Sequence, residues 1–407
     1  MAATTEAPTA IRPLTVEFPD ADLEDLRARL AATRWPERET VGDQGQGTPL
    51  ATMQALVNHW LNAYDWRDCE RRINAHPNFI TEIDGLDIHF IHARSKHEDA
   101  LPIVVCHGWP GSVVEQLKII DPLIDPTAYG ASASDAFHVV VPSMPGYGLS
   151  GKPAETGWGP VRIANAYVEL MRRLGYTRFV AQGGDWGAIV VEMMAGGRDY
   201  PGPAVPAPPE LIGVHTNMAS AVPPDIHNAA VAGEEPPAEL SDEERSAYES
   251  LRFFYRTHLA YAQMMGSRPQ TLAALADSPM GLAAFVCDHD AATLELIIRV
   301  FDGASEGLSR DDVIDNLTFY WLTNTGVSAA RLYGEYDGTF FAAKGLTIPV
   351  GVAAFPDELY RAPRSWAERA YPNLVHYNAL PVGTHFAAWE QPKLLTEEIR
   401  ATFRTLR

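Results

Sequence analysis

The sequence predicts an α/β protein: a mostly parallel sheet flanked by helices, preceded by a helical segment and interrupted by a helical insertion. Three observations predict it. From Pro102 onward, short apolar runs alternate with helix-forming stretches, the pattern of parallel strands joined by crossover helices. Within that alternation, T-R-F-V-A at 177–181 leads through G-G-D-W-G at 183–187 into A-I-V-V-E-M-M-A, which reads as a buried strand, a sharp glycine-rich elbow and a helix. Finally, residues from roughly Ala221 to Phe319 carry helical spacing without strand-like alternation.

Each element follows from local chemistry. Asp20 or Asp22 is placed to cap a helix bearing Leu23, Leu26 and Leu30 on one face, and Pro36 after Trp35 marks its end. A second helix is predicted over Leu50–Tyr64, with Met53, Leu56, Val57 and Trp60 inward. Phe79 to His92 alternates apolar and polar residues around Asp84-Gly85, a hairpin signal, and the sheet is expected to start there. Strands are predicted at Pro102–Cys106, His138–Val141, Arg178–Gln182 and Leu211–Thr216, with helices beginning near Gly111, Pro160 and Trp186. The proline-rich run Y-P-G-P-A-V-P-A-P-P then separates this part from the insertion, a candidate lid in which Ser241 and Glu244 form a capping box. Strand character returns at Ile348–Ala353 and Leu374–Leu380, and an amphipathic helix closes the chain from Pro392 to Leu406. The expected domains are 1–90, 91–220, 221–320 as a cap, and 321–407 as the second part of the sheet domain.

Composition narrows the function. With 407 residues, 46% of them hydrophobic and 21% charged, the chain can bury one large core and support an accessory domain. A formal charge of −20 repels nucleic acid and anionic membranes, so an uncharged small molecule is the expected partner. The cysteines Cys69, Cys106 and Cys287 lack disulfide or zinc spacing. The start, M-A-A-T-T-E-A-P-T, has neither a basic nor an apolar signal region, and no run of 18 apolar residues occurs. A cytoplasmic protein without membrane attachment is expected.

At the elbow, Asp185 stands where a serine would form an acyl-enzyme. A carboxylate instead displaces a leaving group at saturated carbon and is left as an alkyl ester. Read alone, G-G-D-W-G is equally a helix-capping aspartate. The rest of the chain supplies what a nucleophile needs. H-G-W-P-G at 107–111 follows a strand, so the backbone N–H groups of Trp109 and Trp186 can form an oxyanion hole, while His107 reads as a turn-stabilising histidine. Among 13 histidines, His385 alone lies just past the last strand, the place for a base, and it is expected to be neutral at pH 7. After the preceding strand, Asp357 and Glu358 are adjacent, and spacing does not choose which orients the histidine. Trp109, Trp186 and Tyr147 read as pocket walls and structural aromatics alike.

Several strings together are similar to the microsomal-type epoxide hydrolases: V-E-F-P-D-A-D-L-E-D-L-R-A-R-L-A-A-T-R-W-P, T-E-I-D-G-L-D-I-H-F-I-H, H-G-W-P-G-S, G-G-D-W-G, D-S-P-M-G-L-A-A, A-F-P-D-E-L and G-T-H-F-A-A-W-E. The resemblance spans nearly the whole chain. It implies a helical amino-terminal domain, an α/β-hydrolase core with a helical cap, and hydrolysis of an epoxide to a vicinal diol with no cofactor and no metal. It implies Asp185 as nucleophile, His385 as base, Glu358 rather than Asp357 as acid, and Tyr261 and Tyr333 as donors to the epoxide oxygen. Two phenols with pKa about 10 can hydrogen-bond and protonate the much more basic alkoxide. Tyr336 stands close enough in sequence to compete with Tyr333. The membrane anchor of mammalian members is not expected here, a homodimer is left open, and both antibiotic biosynthesis, enediyne pathways included, and detoxification are compatible settings.

Two other functions compete. Haloalkane dehalogenases also place Trp after the elbow Asp, where its indole holds a halide, but need neither the amino-terminal domain nor the tyrosine pair. A non-catalytic ligand-binding protein on the same fold would be marked by loss of a triad member, and here none is lost.

Overall fold

The computed structural model describes residues 10–198 and 205–407. The extreme amino terminus and the first half of the proline-rich run lie outside the described residues. Nine strands form one sheet in the order β1-β2-β3-β5-β4-β6-β7-β8-β9. They are β1 (Arg12–Leu14), β2 (Asn78–Ile83), β3 (Leu86–Ala93), β4 (Leu101–Cys106), β5 (Phe137–Pro142), β6 (Phe179–Gly183), β7 (Leu211–Thr216), β8 (Val350–Ala354) and β9 (Leu374–Ala379). β1, β2 and β3 pair antiparallel and join β5 antiparallel, and every pairing from β5 to β9 is parallel. β4 and β6, in the middle, are apolar and buried along nearly their full length, as strands covered on both faces must be. The β2–β3 turn takes φ 54° at Asp84 and 77° at Gly85, the double positive φ that a two-residue hairpin requires.

Three helices, α1 (Asp20–Ala31), α2 (Leu50–Asn62) and α3 (Trp66–Asn74), precede the hairpin. In the sheet region, α4 (Val113–Ile124), α5 (Pro160–Arg173) and α6 (Trp186–Met194) follow β4, β5 and β6. The insertion after β7 comprises α7 (Pro224–Ala232), α8 (Asp242–Thr257), α9 (Ala260–Ser267), α10 (Pro279–Cys287), α11 (Ala291–Phe301), α12 (Arg310–Thr323) and α13 (Gly326–Ala330), ending in a 3-10 turn at Arg331–Glu335. Then α14 (Arg364–Ala370) links β8 to β9, and α15 (Ala387–Glu390) and α16 (Pro392–Phe403) close the chain. The capping box forms as expected: the Ser241 hydroxyl accepts from Glu244 N–H at 3.3 Å and the Glu244 carboxylate from Ser241 N–H at 3.0 Å.

Other expectations are corrected. Pro19 occupies the cap position of α1 with no side-chain cap, so Asp20 and Asp22 sit inside the first turn, and the helix ends at Ala31, well before Pro36. The sheet begins with β1, not with the hairpin. α3 and α14 were not expected. α3 turns only Trp66, Cys69 and Ile73 inward among charged neighbours, too few apolar residues to register as periodic.

The amino-terminal helices brace the insertion. Leu56 and Trp60 of α2 share a core cluster with Leu282, Ile297 and Leu317 of α10, α11 and α12. Arg72 of α3 pairs with Asp315 of α12, whose side chain is 1% exposed and also accepts from the Tyr64 hydroxyl at 2.7 Å. An exposed ion pair, Arg29–Asp277, and a 2.7 Å hydrogen bond between His59 and Asp311 also join the two segments.

Candidate active site

The elbow between β6 and α6 holds Asp185 at φ 51°, ψ −131°, a conformation that costs a non-glycine residue free energy and persists only where the surroundings enforce it. They do so by close approach. A Cβ on Gly183 would lie 2.2 Å from the Gly187 carbonyl oxygen, and one on Gly187 would lie 2.0 Å from that of Cys106. The backbone of the H-G-W-P-G loop is equally near: a Cβ on Gly108 would lie 2.2 Å from Asp185 Oδ1. That oxygen accepts from Trp109 N–H at 2.6 Å, and the Trp186 amide adds to the stabilisation of the anion. Both backbone amides expected to hold an oxyanion thus converge on the carboxylate. His107 is structural, as read from sequence. Its Nδ1 lies 3.0 Å from the Gly108 carbonyl oxygen and its Nε2 accepts from Met144 N–H at 3.1 Å, and burial lowers its pKa to about 4.

The loop after β9 brings His385 to the other side of Asp185, its Nε2 3.4 Å from Oδ2. Its Nδ1 is hydrogen-bonded to Glu358 Oε1, which also accepts from Leu359 N–H at 2.8 Å. Glu358 is buried, whereas Asp357 is exposed and joins the His385 loop only through its backbone, with its N–H donating to the Gly383 carbonyl at 3.1 Å. Burial acts to lower the His385 pKa, but the Glu358 charge and the bond to Asp185 outweigh it and hold it well above the ordinary value. Against the expectation of a neutral His385 at pH 7, these two carboxylates favour the protonated ring before substrate reacts. Burial likewise acts to raise the Asp185 pKa, yet the His385 bond and charge hold it below the ordinary range.

Opposite this pair opens a cavity of about 410 Å³ between the elbow and the insertion, lined by Asp185, Trp186, Tyr261, Tyr333, Tyr336 and Phe340 among others. Tyr261, on α9, stacks on Trp109 at 4.9 Å, and Tyr333, in the 3-10 turn after α13, meets Trp186 edge-on at 4.9 Å. Their rings lie 5.9 Å apart. Desolvation first, then the Asp185 charge for Tyr261 and the charges of Tyr261 and Asp185 for Tyr333, raise both phenol pKa values well above normal, so both remain O–H donors. Tyr336 shares the cavity, 5.7 Å from Trp186. Tyr147 does not line it: fully buried beside His107, its hydroxyl donates to the Ala329 carbonyl at 3.2 Å. The pocket-wall half of its reading is corrected to the structural half.

Sequence reasoning missed His289. This buried ring stacks on His385 at 4.7 Å and its Nδ1 lies 2.9 Å from Asp290, the residue that caps α11. The string D-H-D before a helix was the available signal, and it reads first as a cap. Asp185, His289 and His385 each offer a ligand atom within 4.8 Å of the others, the group best placed to ligate a metal ion among the described residues. Two of the three are already paired to each other.

Fold and site together define an α/β-hydrolase with an aspartate at the elbow and a helical insertion over it. Residues 11–116 match the epoxide hydrolase N-terminus family, and residues 102–200 the α/β hydrolase fold. The chain is 47% identical to a provisionally named epoxide hydrolase of Stigmatella aurantiaca, over 98% of this chain and 86% of that one. It is 33% identical to epoxide hydrolase 1 of Oryctolagus cuniculus, covering 96% and 88% of the two chains. Its structure matches juvenile hormone epoxide hydrolase of Bombyx mori with a TM-score of 0.81 at 27% identity, covering 98% and 96%. Aspergillus niger epoxide hydrolase matches with a TM-score of 0.80 at 29% identity, covering 98% of both chains. The chain belongs to the microsomal-type epoxide hydrolase family. Among the described residues, no helix is long and apolar enough to cross a membrane.

Proposed function

We propose that this protein hydrolyses an epoxide to a vicinal diol through a covalent ester on Asp185. The observation that carries the reading is the opposition, across one cavity, of a buried carboxylate and two protonated phenols. An epoxide seated between them presents its ring oxygen to Tyr261 and Tyr333 and a ring carbon to Asp185. Attack forms the carboxylate–carbon bond and breaks the carbon–oxygen bond, and the alkoxide takes a proton from a phenol. Esterification removes one of the two negative charges that hold the proton on His385, so that this proton can restore the phenol that protonated the alkoxide and leave a neutral imidazole. That imidazole can then take a proton from water as water attacks the ester carbonyl, with Trp109 and Trp186 N–H groups on the oxyanion and Glu358 on the imidazolium.

Asp185 is the one charged residue among those lining the cavity, and aromatic rings make up most of its wall, which suits an uncharged, largely apolar epoxide. Such a pocket serves detoxification readily, and a biosynthetic epoxide of the same character equally. Three buried, unpaired cysteines accord with a reducing cytoplasm. The test is to mix the His385→Gln variant with styrene oxide and measure intact mass. The expected result is protein heavier by one substrate, with the adduct on Asp185. Turnover of chloroalkanes with halide release, and none of epoxides, would replace this reading with dehalogenation.

A further inference from the structure

Beside the Asp185–His385 pair, and sharing only Asp185 with the substrate cavity, lies a small space of about 10 Å³, at the lower limit for a single water. Its wall is unusually polar: Asp185 and His385 face Glu115, Gln116, Gln182 and Asn217. Three of the buried polar atoms on these residues have no hydrogen-bond partner among the described residues, namely Glu115 Oε2, Gln116 Oε1 and Gln182 Oε1, and His385 Nε2 has only its 3.4 Å contact with Asp185 Oδ2. A buried polar atom left unpaired is costly, so three around one small space point to a ligand with matching donors and acceptors. The remaining capacity of these side chains is spent on one another. Gln116 Nε2 donates to Glu115 Oε1 at 2.9 Å, Gln182 Nε2 to Asn217 Oδ1 at 3.0 Å, and Asn217 Nδ2 to the His385 carbonyl at 3.4 Å. Gly108 and Gly184 line the space, and a Cβ on Gly184 would fall 2.7 Å from Asn217 Nδ2.

We propose that this space seats the water that hydrolyses the Asp185 ester, with Glu115 and Gln182 as its positioning residues and His385 Nε2 as the acceptor of its proton. The inference rests on the ester route of the preceding subsection and adds the origin and orientation of the nucleophile of its second half. Water oxygen bonds to Cγ of Asp185 while one of its protons passes to His385 Nε2. The tetrahedral oxyanion then collapses, the bond from Cγ to the Asp185 carboxylate oxygen now held on the substrate carbon breaks, and His385 gives its proton to that departing oxygen, which becomes a hydroxyl of the diol. Glu115 is suited to this place because burial, reinforced by the Asp185 charge against the opposing effect of His385, raises its pKa to about 8 and so favours the neutral acid near pH 7. A neutral acid offers an O–H donor and adds no repulsion to the oxyanion forming beside it. The substrate cavity shares only Asp185 with this space, so the two half-reactions would draw their reactants from separate cavities at the same carboxylate.

The test separates those half-reactions by rapid mixing of enzyme with styrene oxide, following adduct mass on Asp185 as it forms and decays. In Glu115→Leu, adduct formation should stay within about threefold of wild type, whereas its decay should slow about 10–100-fold, so that adduct accumulates. Glu115→Gln, which keeps an oxygen and N–H donors at the same point, should recover most of the lost decay rate. Gln182→Met should slow decay in the same direction and carries the test if Glu115→Leu does not fold. Formation and decay slowing together, or decay unchanged in both Glu115→Leu and Gln182→Met, would overturn the proposal. Failure of the parent and of His385→Gln to form any adduct would instead remove the ester route on which it rests.

Discussion

Asp185, Trp109, His385 and Glu358 stand on loops at the ends of parallel strands, whereas Tyr261 and Tyr333 come from α9 and the turn after α13. The strand-borne half is fixed by hydrogen bonds and by backbone contacts too close for a Cβ. The helix-borne half touches the first through ring faces and edges, Tyr261 on Trp109 and Tyr333 on Trp186. Its placement depends on helices braced from outside by the amino-terminal segment. On the proposed mechanism the contrast is a division of labour: the strand ends carry the group that would bond to carbon, and the packed insertion carries the groups that would meet the oxygen. It also predicts which half-reaction each part controls.

The largest effect should come from the strand-borne half. Asp185→Ala should lower turnover about 10⁴-fold or more with an unchanged melting profile, because the carboxylate is lost from the chemistry and not from the core. Next, Glu358→Gln should slow decay of the ester about 10³-fold while leaving its formation nearly intact, since the acid holds the imidazole tautomer. Asp357→Asn should leave both near wild type, its carboxylate being exposed. A larger loss in the Asp357 variant would reverse that assignment. For the helix-borne half, Tyr261→Phe and Tyr333→Phe should each slow ester formation about 10²-fold and spare its decay, read by single-turnover mass spectrometry. A wild-type formation rate in Tyr333→Phe would shift its role to Tyr336.

The two halves also differed in how legible they were. The elbow is a local pattern, strand, glycines, acid and helix, although the close contacts that make its glycines necessary come both from within it, Gly183 against Gly187, and from β4, Gly187 against Cys106. His385 was found by its place after the last strand. Between Asp357 and Glu358 the sequence was silent, because which of two neighbours turns inward depends on the partner loop that β9 delivers. Tyr261 and Tyr333 carry no local mark at all, and were recognised only by family resemblance. His289 and Glu115 were passed over for the same reason, their neighbours being brought by distant segments. Tyr147 was misjudged because a motif aromatic beside an active site looks the same from sequence whether it faces the cavity or the loop behind it. β1 was missed because three residues paired with β2 form too short a run to alternate visibly.

The smallest predicted effect probes the brace. Arg72→Leu leaves the Asp315 carboxylate buried with the Tyr64 hydroxyl but without its cation. A fully buried pair broken this way costs about 3–5 kcal/mol. Since Arg72 is 45% exposed, solvent screening should reduce that to about 1–2 kcal/mol, measured by denaturant unfolding. Because α12 leads into the turn that bears Tyr333, ester formation should slow a few-fold, with decay unchanged. Equal slowing of both steps would mean that the brace serves the whole molecule and not the helix-borne half.

The central claim, that Asp185 and not water opens the epoxide, is tested most directly by a single turnover in H₂¹⁸O with enzyme in excess. The account predicts that the first diol carries an unlabelled oxygen taken from Asp185, and that the solvent label is found in the Asp185 carboxylate afterwards. Solvent ¹⁸O in the first-turnover diol, with no label in Asp185, would contradict it.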